Sequence, residues 1–410
     1  MSSYAVGEEN EMVIGIPREI LENEHRVAAL PETVAEYSRM GFRILIETTA
    51  GEGAYRADQE YADAGGQIVS SAEELYSASH LILKVKQPCL NRVTGKHEVA
   101  TMRRGSMLIG FLHPAAPTNQ EMVEMLRDRN ITSLTMDSIP RLSRAQAMDA
   151  LTSMSTITGY RSALIAATHL PTFVPLMGMA AGTTKPARFL IIGAGVVGLQ
   201  AIATAKRLGA VVEALDIRVS AREAAKSLGA KVVGFDVPPE AAVDAADHAM
   251  TLSADWLERE RAAIAPLLEQ ADIVISSALV PGEMAPVLIT ESMVAAMKPG
   301  SVIVDVAIDQ GGNCAVTQAG SERRSHGVLV SGLLNIPGGM PVHASWLYSN
   351  NVLEFVRTVF RGPDKPPSLE DELVRPTVVT HAGRIVHHGA LKAMSPAHEL
   401  VTAGVRSWHE

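Results

Sequence analysis

Short apolar runs separated by amphipathic stretches fill the first third of the chain. Met12–Ile16 (MVIGI), Phe42–Glu47, Leu81–Val85 (LILKV), Met107–Leu112 and Ile131–Met136 each read as strands, and Pro31–Met40 reads as a helix. Strands alternating with helices predict a mostly parallel sheet covered on both faces. From Ser143 to His169 the pattern turns helical without a proline, which predicts one long helix joining two domains. A turn at Thr183–Pro186 follows, and then a second strand series: Arg188–Ile192 (RFLII), Ala210–Asp216, Lys231–Phe235, Ala271–Ser276 and Ser301–Val306. Beyond the glycine- and proline-rich Asn335–Pro341, a helix is expected over Ala344–Phe360, returning to the first domain. Val374–His388 reads as a small hairpin appended there.

Composition narrows the function classes. The 410 residues are 47% hydrophobic and 20% charged, enough for two well-packed domains. A formal charge of −9 without a basic stretch argues against nucleic acid as a partner. The two cysteines, Cys89 and Cys314, form no CxxC and no metal-ligand spacing, so no metal is expected and a reducing compartment suits them. The acidic start MSSYAVGEENE has no apolar run of a signal peptide. No stretch approaches the roughly 18 apolar residues of a membrane helix. The expected location is the cytoplasm, or the periphery of the inner membrane if partner subunits hold the chain there.

The chemistry begins at Gly193-Ala-Gly-Val-Val-Gly198. GxGxxG alone is a weak motif, but here a strand precedes it, a helix (Leu199–Leu208) follows, and the next strand ends on an acid, Asp216, 18 positions past Gly198. Each glycine has a purpose. Gly193 permits the tight turn, Gly195 lets backbone approach a pyrophosphate, and Gly198 lets helix and strand pack closely. The helix N-terminus stabilises phosphate charge. A carboxylate at Asp216 accepts hydrogen bonds from ribose hydroxyls and repels a 2′-phosphate, which favours NAD(H) over NADP(H); Arg218, two residues on, works against that preference. A glycine turn in a non-binding α/β fold is the plain alternative. Val196, Val197, Ile217, Ala278 and Leu279 complete the expected cofactor-contacting set. The expected fold class is α/β, with two Rossmann-like domains containing parallel sheets, separated by a cleft and joined by long helices. The first, of catalytic type, takes residues 1–142 and 340–410; the second, nucleotide-binding, takes 143–339 with the linking helix.

These residues carry a family resemblance across nearly the whole length. Ile14-Gly-Ile-Pro-Arg-Glu19 with His25-Arg-Val-Ala28, and Lys298-Pro-Gly-Ser-Val-Ile-Val-Asp305, resemble the alanine dehydrogenase/transhydrogenase superfamily. Pro140-Arg-Leu-Ser-Arg-Ala-Gln-Ala-Met-Asp149 resembles the loop diagnostic of one branch, the NAD(H)-binding component (domain I) of proton-translocating transhydrogenase. Ala181–Thr183, Ala203–Ala210 and the C-terminal hairpin are similar to that branch too. The resemblance implies that Arg141, Gln146 and Asp149 hold the nicotinamide end of the cofactor. It gives Thr152 an assisting hydroxyl where serine is usual. One departure is the mobile loop: the family's Gly-Tyr-Ala-Lys stretch corresponds here to Asp247-His-Ala-Met250, with no tyrosine.

Four further positions resemble the catalytic set of alanine dehydrogenases: Arg26, Lys86, His113 and Asp309. The types suit that chemistry. A guanidinium holds a carboxylate, a lysine polarises a keto oxygen, a histidine exchanges the proton that accompanies hydride transfer, and an aspartate binds the nitrogen. Passing hydride between two nicotinamides needs none of these. Arg26 is common to both branches and fits a structural ion pair as well as a substrate contact.

Three functions follow. The favoured one is a transhydrogenase subunit that delivers hydride from NADH to NADP+ held by a separate β subunit coupled to a membrane domain. The second is a stand-alone NAD-dependent L-amino-acid dehydrogenase acting on a small amino or keto acid through Lys86, His113 and Asp309. The third is a non-catalytic NAD(H)-binding module. The resemblance also implies a homodimer or higher homo-oligomer.

Overall fold

The computed structural model describes residues 12–244, 249–280 and 284–395. The chain divides into two compact units, with boundaries after Met154 and after Pro337; the first boundary falls inside the helix Ala150–His169. The strands are β1 (Val13–Ile16), β2 (Arg43–Glu47), β3 (Gly66–Val69), β4 (Leu81–Leu83), β5 (Met107–Gly110), β6 (Thr132–Thr135), β7 (Arg188–Ile192), β8 (Val211–Leu215), β9 (Lys231–Val232), β10 (Ile273–Ser276), β11 (Val302–Asp305), β12 (Glu322–Ser325), β13 (Val328–Ser331), β14 (Val378–His381) and β15 (Arg384–Ile385). Two short antiparallel ladders, 90–91 with 96–97 and 178–179 with 182–183, lie outside the main sheets.

The first unit is built on an eight-stranded sheet in the order β15-β14-β6-β5-β4-β1-β2-β3. Six strands run parallel, and β14 joins antiparallel to β6. The C-terminal hairpin is therefore an integral edge of the sheet, where the sequence pattern suggested an appendage. Parallel register aligns the carboxyl ends: Leu83 pairs with Ile109, and Gly110 with Thr135. The segments that follow, carrying Lys86, His113 and Asp137, thus leave the sheet at one edge, where α/β folds gather their ligand-binding side chains.

The second unit has a seven-stranded sheet in the order β9-β8-β7-β10-β11-β13-β12. Its central strands are apolar throughout because both faces are covered. Phe189 and Ile191 join a core with Val212, Ile275 and the helix residues Ala201 and Ile202; Leu190 and Ile192 join another with Leu215, Val274, Ile264 and Leu268. Alternate residues of one strand thus serve opposite layers. Chain order reverses direction at β7, with β8 on one side and β10 on the other. Such a switch point opens a crevice at the carboxyl ends of the strands, and Gly193 is the first residue there.

Two expectations are revised. The stretch 143–169 is not one helix: Ser143–Met148 is a 3-10 turn, Asp149 leaves helical geometry at φ −74° and ψ 79°, and the α-helix begins at Ala150. Asp149 is the cap, its carboxylate accepting from Thr152 N (2.9 Å) and Thr152 Oγ1 (2.6 Å). The strand expected over 231–235 stops at Val232, because Gly234 turns the backbone to φ +110°. Two strands escaped the hydrophobic pattern. β12 (ERRS) is largely exposed, and its pairing with β13 is set by the His326-Gly327 turn, whose two residues both have positive φ. β3 (GQIV) buries only Val69 fully. Among the described residues, no helix is long and apolar enough to cross a membrane. The departure expected in the mobile loop falls partly on 247–248, outside the described residues.

Candidate functional site

The glycine loop has the closeness its motif demands. Gly193 sits at φ +89°, and a Cβ there would lie 2.9 Å from Ala278 N. At Gly198 a Cβ would lie 1.9 Å from Gly193 O, so the start of the helix is pressed against the turn it follows. Gly195 caps the helix Val196–Arg207 with no side-chain bond to the first amides, and a Cβ on it would meet only Arg218 Nη2 at 3.8 Å. That end of the helix offers backbone N–H groups and positive dipole to a phosphate. Val196 is exposed at the mouth, and Val197 and Gly195 are half-buried. Ser277 and Ala278 close the other side, with Ser277 Oγ donating to Gly193 O at 3.1 Å; Leu279 beyond them is exposed.

Asp216 ends β8 beside this loop, buried, with Oδ2 accepting from Ala194 N (2.8 Å). Arg218 grips the same carboxylate, and Ile217 between them is half-buried. The cradle that side chains would fill and the buried acid beside it fit the adenosine diphosphate half of a dinucleotide.

Glu260, on the helix Ala254–Leu268, lies close enough to feel Asp216. Burial, reinforced by the Asp216 charge, pushes its carboxyl up to about 7. The folded state therefore keeps a proton on Glu260 that the unfolded chain, near its ordinary 4.5, has released. Stability from this group is present below pH 4.5 and is lost as pH rises to about 7, by roughly 3 kcal/mol at full effect. Glu260→Gln is expected to flatten that limb, leaving the variant more stable than the parent at pH 8 but not at pH 4. Denaturant unfolding at the two pH values measures it, and equal slopes in both proteins contradict it.

In the first unit, the Ser143–Met148 turn presents Gln146 to solvent between buried Ala145 and Met148, and Arg141 just before it is exposed too. The helix Pro341–Val359 pins this turn: Asn351 Nδ2 donates to Ala147 O at 2.8 Å, and Thr358 Oγ1 meets Met148 Sδ at 3.5 Å. With Asp149 and Thr152 bonded to each other, the four residues Arg141, Gln146, Asp149 and Thr152 come from one turn and one helix start.

Elsewhere in this unit the structure joins His113 to a residue that sequence reasoning missed. His113 has φ +43°, rare for a residue with a side chain. Asp137 holds it there. Its Oδ2 accepts from His113 N (2.8 Å) and Leu112 N (3.1 Å), and its Oδ1 lies 2.8 Å from His113 Nδ1. Burial opposes the Asp137 charge, but the His113 charge and the bonds from His113 and Thr135 outweigh it and hold the carboxyl at about 2. A carboxylate only accepts, so the Nδ1 facing it carries the proton. The ring stacks on Phe111 with planes 4° apart, and its side chain is 41% exposed, leaving it accessible to a reactant.

Arg26 is buried and committed. Its Nε and Nη2 make a two-pronged contact with Glu24 (2.7 and 2.5 Å), and Nη1 meets Met154 Sδ at 3.0 Å. Lys86 is half-buried and near enough to Glu24 to lower its carboxyl, after burial and the opposing contacts of Arg26. Arg26 also walls a cavity of about 280 Å³ with Arg18, Glu19, His25 and Glu52. Asp309 belongs to the second unit, exposed on the 3-10 turn Val306–Gln310. The buried acid of that turn is Asp305, which accepts from Asn313 N and Cys314 N, both at 3.0 Å. Asn313 in turn fixes Ala278, donating to its carbonyl (2.9 Å) and accepting from its amide (3.0 Å). Neither Asp305 nor Asn313 carried a motif of its own.

A two-domain α/β chain with a dinucleotide-type glycine loop and a Ser-Arg-Ala-Gln turn defines a class of nucleotide-binding proteins, and comparison with known proteins makes it specific. Residues 15–158 match the alanine dehydrogenase/PNT N-terminal domain and residues 162–388 the C-terminal domain; the chain belongs to this family. It is 42% identical over 379 residues to the first portion of the NAD(P) transhydrogenase subunit alpha of Rhodospirillum rubrum, a separate chain, covering 92% of this chain and 98% of that one. It is 31% identical over 390 residues to the alanine dehydrogenase of Mycolicibacterium smegmatis, covering 93% and 96%. Its structure is similar to that of the transhydrogenase from Sinorhizobium meliloti, with a TM-score of 0.80 at 37% identity over 91% of this chain and 100% of the other.

Proposed function

We propose that this chain is the NAD(H)-binding subunit of a proton-translocating transhydrogenase, giving hydride from NADH to NADP+ held by a separate subunit. The observation that carries the reading is the intact Ser143–Asp149 turn, pinned by Asn351 and capped into the next helix, with Gln146 and Arg141 turned to solvent. The resemblance to transhydrogenase subunits in sequence and fold supports it. In this reading the glycine loop and Asp216 bind the adenosine half, and Val196, Val197, Ile217, Ala278 and Leu279 line it. Arg141, Gln146, Asp149 and Thr152 orient the nicotinamide, whose reduced ring supplies the hydride when bound. Nicotinamide-to-nicotinamide transfer releases no proton at carbon, so no acid or base is required. Exposed Phe173, Leu176 and Met179 suit a homo-oligomer, and the chain works in the cytoplasm against a membrane-bound partner.

Gln146→Asn shortens the arm that orients the nicotinamide by one carbon. Hydride transfer to partner-held NADP+ is expected to fall at least about tenfold, because such steps depend on sub-ångström placement. NADH affinity, set mainly by the adenosine half, is expected to change less than about threefold. Single-turnover transfer and an NADH titration read the two separately, and an unchanged transfer rate defeats the assignment.

A second reading has one observation in its favour. His113, held by Asp137, is arranged as a proton-exchanging group, which an L-amino-acid dehydrogenase needs and a transhydrogenase does not. Lys86 and Asp309 would complete that site. Against it, Glu24 already takes the two-pronged contact of Arg26 that a substrate carboxylate would require. The purified chain with NAD+ and a panel of L-amino acids discriminates: sustained NADH formation without a partner, abolished by His113→Ala, establishes the second reading and removes the first. The third reading, NAD(H) binding without turnover on any acceptor, has no specific observation behind it.

A further inference from the structure

Asp216 has every acceptor direction in use. Its Oδ2 accepts from Ala194 N (2.8 Å) and Arg218 Nη2 (2.9 Å), and its Oδ1 from Arg218 N (2.9 Å) and Arg218 Nε (3.0 Å). A carboxylate offers about four lone-pair sites, and these bonds fill them. Two of the donors are backbone amides, fixed parts of the loops after β7 and β8. The other two belong to one long, rotatable side chain that is 20% exposed. A ribose diol needs two acceptor directions on the carboxylate, and it obtains them only when that guanidinium moves away. The guanidinium also stands over the phosphate loop, with Nη2 3.8 Å from where a Gly195 Cβ would be. Arg218 thus occupies the corner between the ribose acid and the backbone that approaches a pyrophosphate.

We propose that Arg218 is a displaceable occupant of the ribose position and sets the nucleotide preference of the site. NADH must evict its guanidinium from Asp216, whereas a nucleotide bearing a 2′-phosphate receives it as a counter-ion. The proposal rests on the reading of this loop as an NAD(H) site. Two neutral hydroxyls replace two charge-assisted bonds, so eviction takes back part of the NADH binding energy. A 2′-phosphate, repelled by Asp216, is attracted by the released guanidinium. Arg218 therefore weakens NADH, helps NADPH, and narrows the gap between them.

The test is a set of fluorescence titrations with NADH, NADPH and reduced nicotinamide mononucleotide, which lacks the adenosine ribose. Arg218→Met is expected to bind NADH about three- to tenfold more tightly and NADPH more weakly, with the mononucleotide unchanged. Arg218→Lys, which keeps the charge but not the two-pronged grip, is expected to tighten NADH by a smaller factor. In an Asp216→Ala background the gain from Arg218→Met is expected to vanish, since no acceptor remains to be unblocked. NADH affinity that is unchanged or weaker in Arg218→Met, or a mononucleotide affinity that moves by the same factor, overturns the proposal. If the parent binds NADH and loses it on Asp216→Ala, that failure leaves the NAD(H) site standing; a parent that binds no NADH brings both down.

Discussion

Gly198→Ala is expected to abolish NADH binding, raising the dissociation constant at least about 100-fold, and to lower the unfolding temperature of the second unit. The added methyl would lie 1.9 Å from Gly193 O and 3.2 Å from Ile191 Cγ2. No rotamer change relieves a contact with a backbone carbonyl, so the helix Val196–Arg207 must shift away from β7. Overpacking of this kind typically costs about 1–3 kcal/mol, and here it displaces the amides that would face the pyrophosphate. Gly195→Ala is the informative comparison. Its Cβ meets nothing closer than Arg218 Nη2, so the fold is expected to keep its stability while the methyl occupies the approach to the phosphates. NADH titration and thermal unfolding together check the pair. Gly198→Ala with parental affinity contradicts this role for the loop.

The other large effect is on stability in the first unit. Lys84 is fully buried, with Nζ 2.9 Å from Glu98 Oε1 and 3.3 Å from Glu19 Oε2. Around it, Tyr76 OH donates to Glu98 Oε1 (2.5 Å), Cys89 N to Glu98 Oε2 (2.8 Å) and Val85 N to Glu19 Oε1 (2.6 Å). Burial alone would lower the Lys84 ammonium, but the two carboxylates hold it well above its ordinary value. Burial pushes the Glu19 carboxyl up, against the pull of Lys84. Lys84→Met removes the only cation of this triad and is expected to destabilise by roughly 3–5 kcal/mol at pH 8, the usual cost of stranding a buried charge. Without the lysine, both carboxyls rise further above their unfolded 4.5. The deficit should therefore shrink as pH falls toward 5 and the carboxyls take up protons. Glu19→Gln, which leaves one carboxylate for one ammonium, is expected to be far milder. Denaturant unfolding at pH 8 and pH 5 measures all three proteins, and a Lys84→Met loss under about 1 kcal/mol at pH 8 contradicts the account.

Lys84 also marks where sequence reasoning stops. In Leu81-Ile-Leu-Lys-Val-Lys86 the two lysines look alike, and the family resemblance directs attention to Lys86. Only the fold reveals that Lys84 is sealed between two acids from distant loops. The central strands were legible because a parallel sheet covered on both faces leaves a continuous apolar run, as in RFLII. The glycine loop was legible because its constraint is local: strand, turn, helix and a following acid lie within 24 residues. β12 was not, since an exposed edge strand has no hydrophobic signature. The break at Asp149 was hidden inside a helical pattern, although Asp-x-x-Thr is a capping signal. Asp137 could not be paired with His113 from spacing alone. The pairing depends on β5 and β6 being parallel neighbours whose ends coincide at Gly110 and Thr135. Asp305 and Asn313 were missed for the same reason, as their contacts run between loops.

What the chain does with hydride is decided most directly by reconstitution. Purified chain would be mixed with NADH and the NADP-binding subunit of a transhydrogenase loaded with thio-NADP+, and formation of the reduced analogue followed with and without that subunit. The account predicts transfer that requires both proteins. NADH bound by the chain yet never oxidised when the loaded partner is present would contradict it.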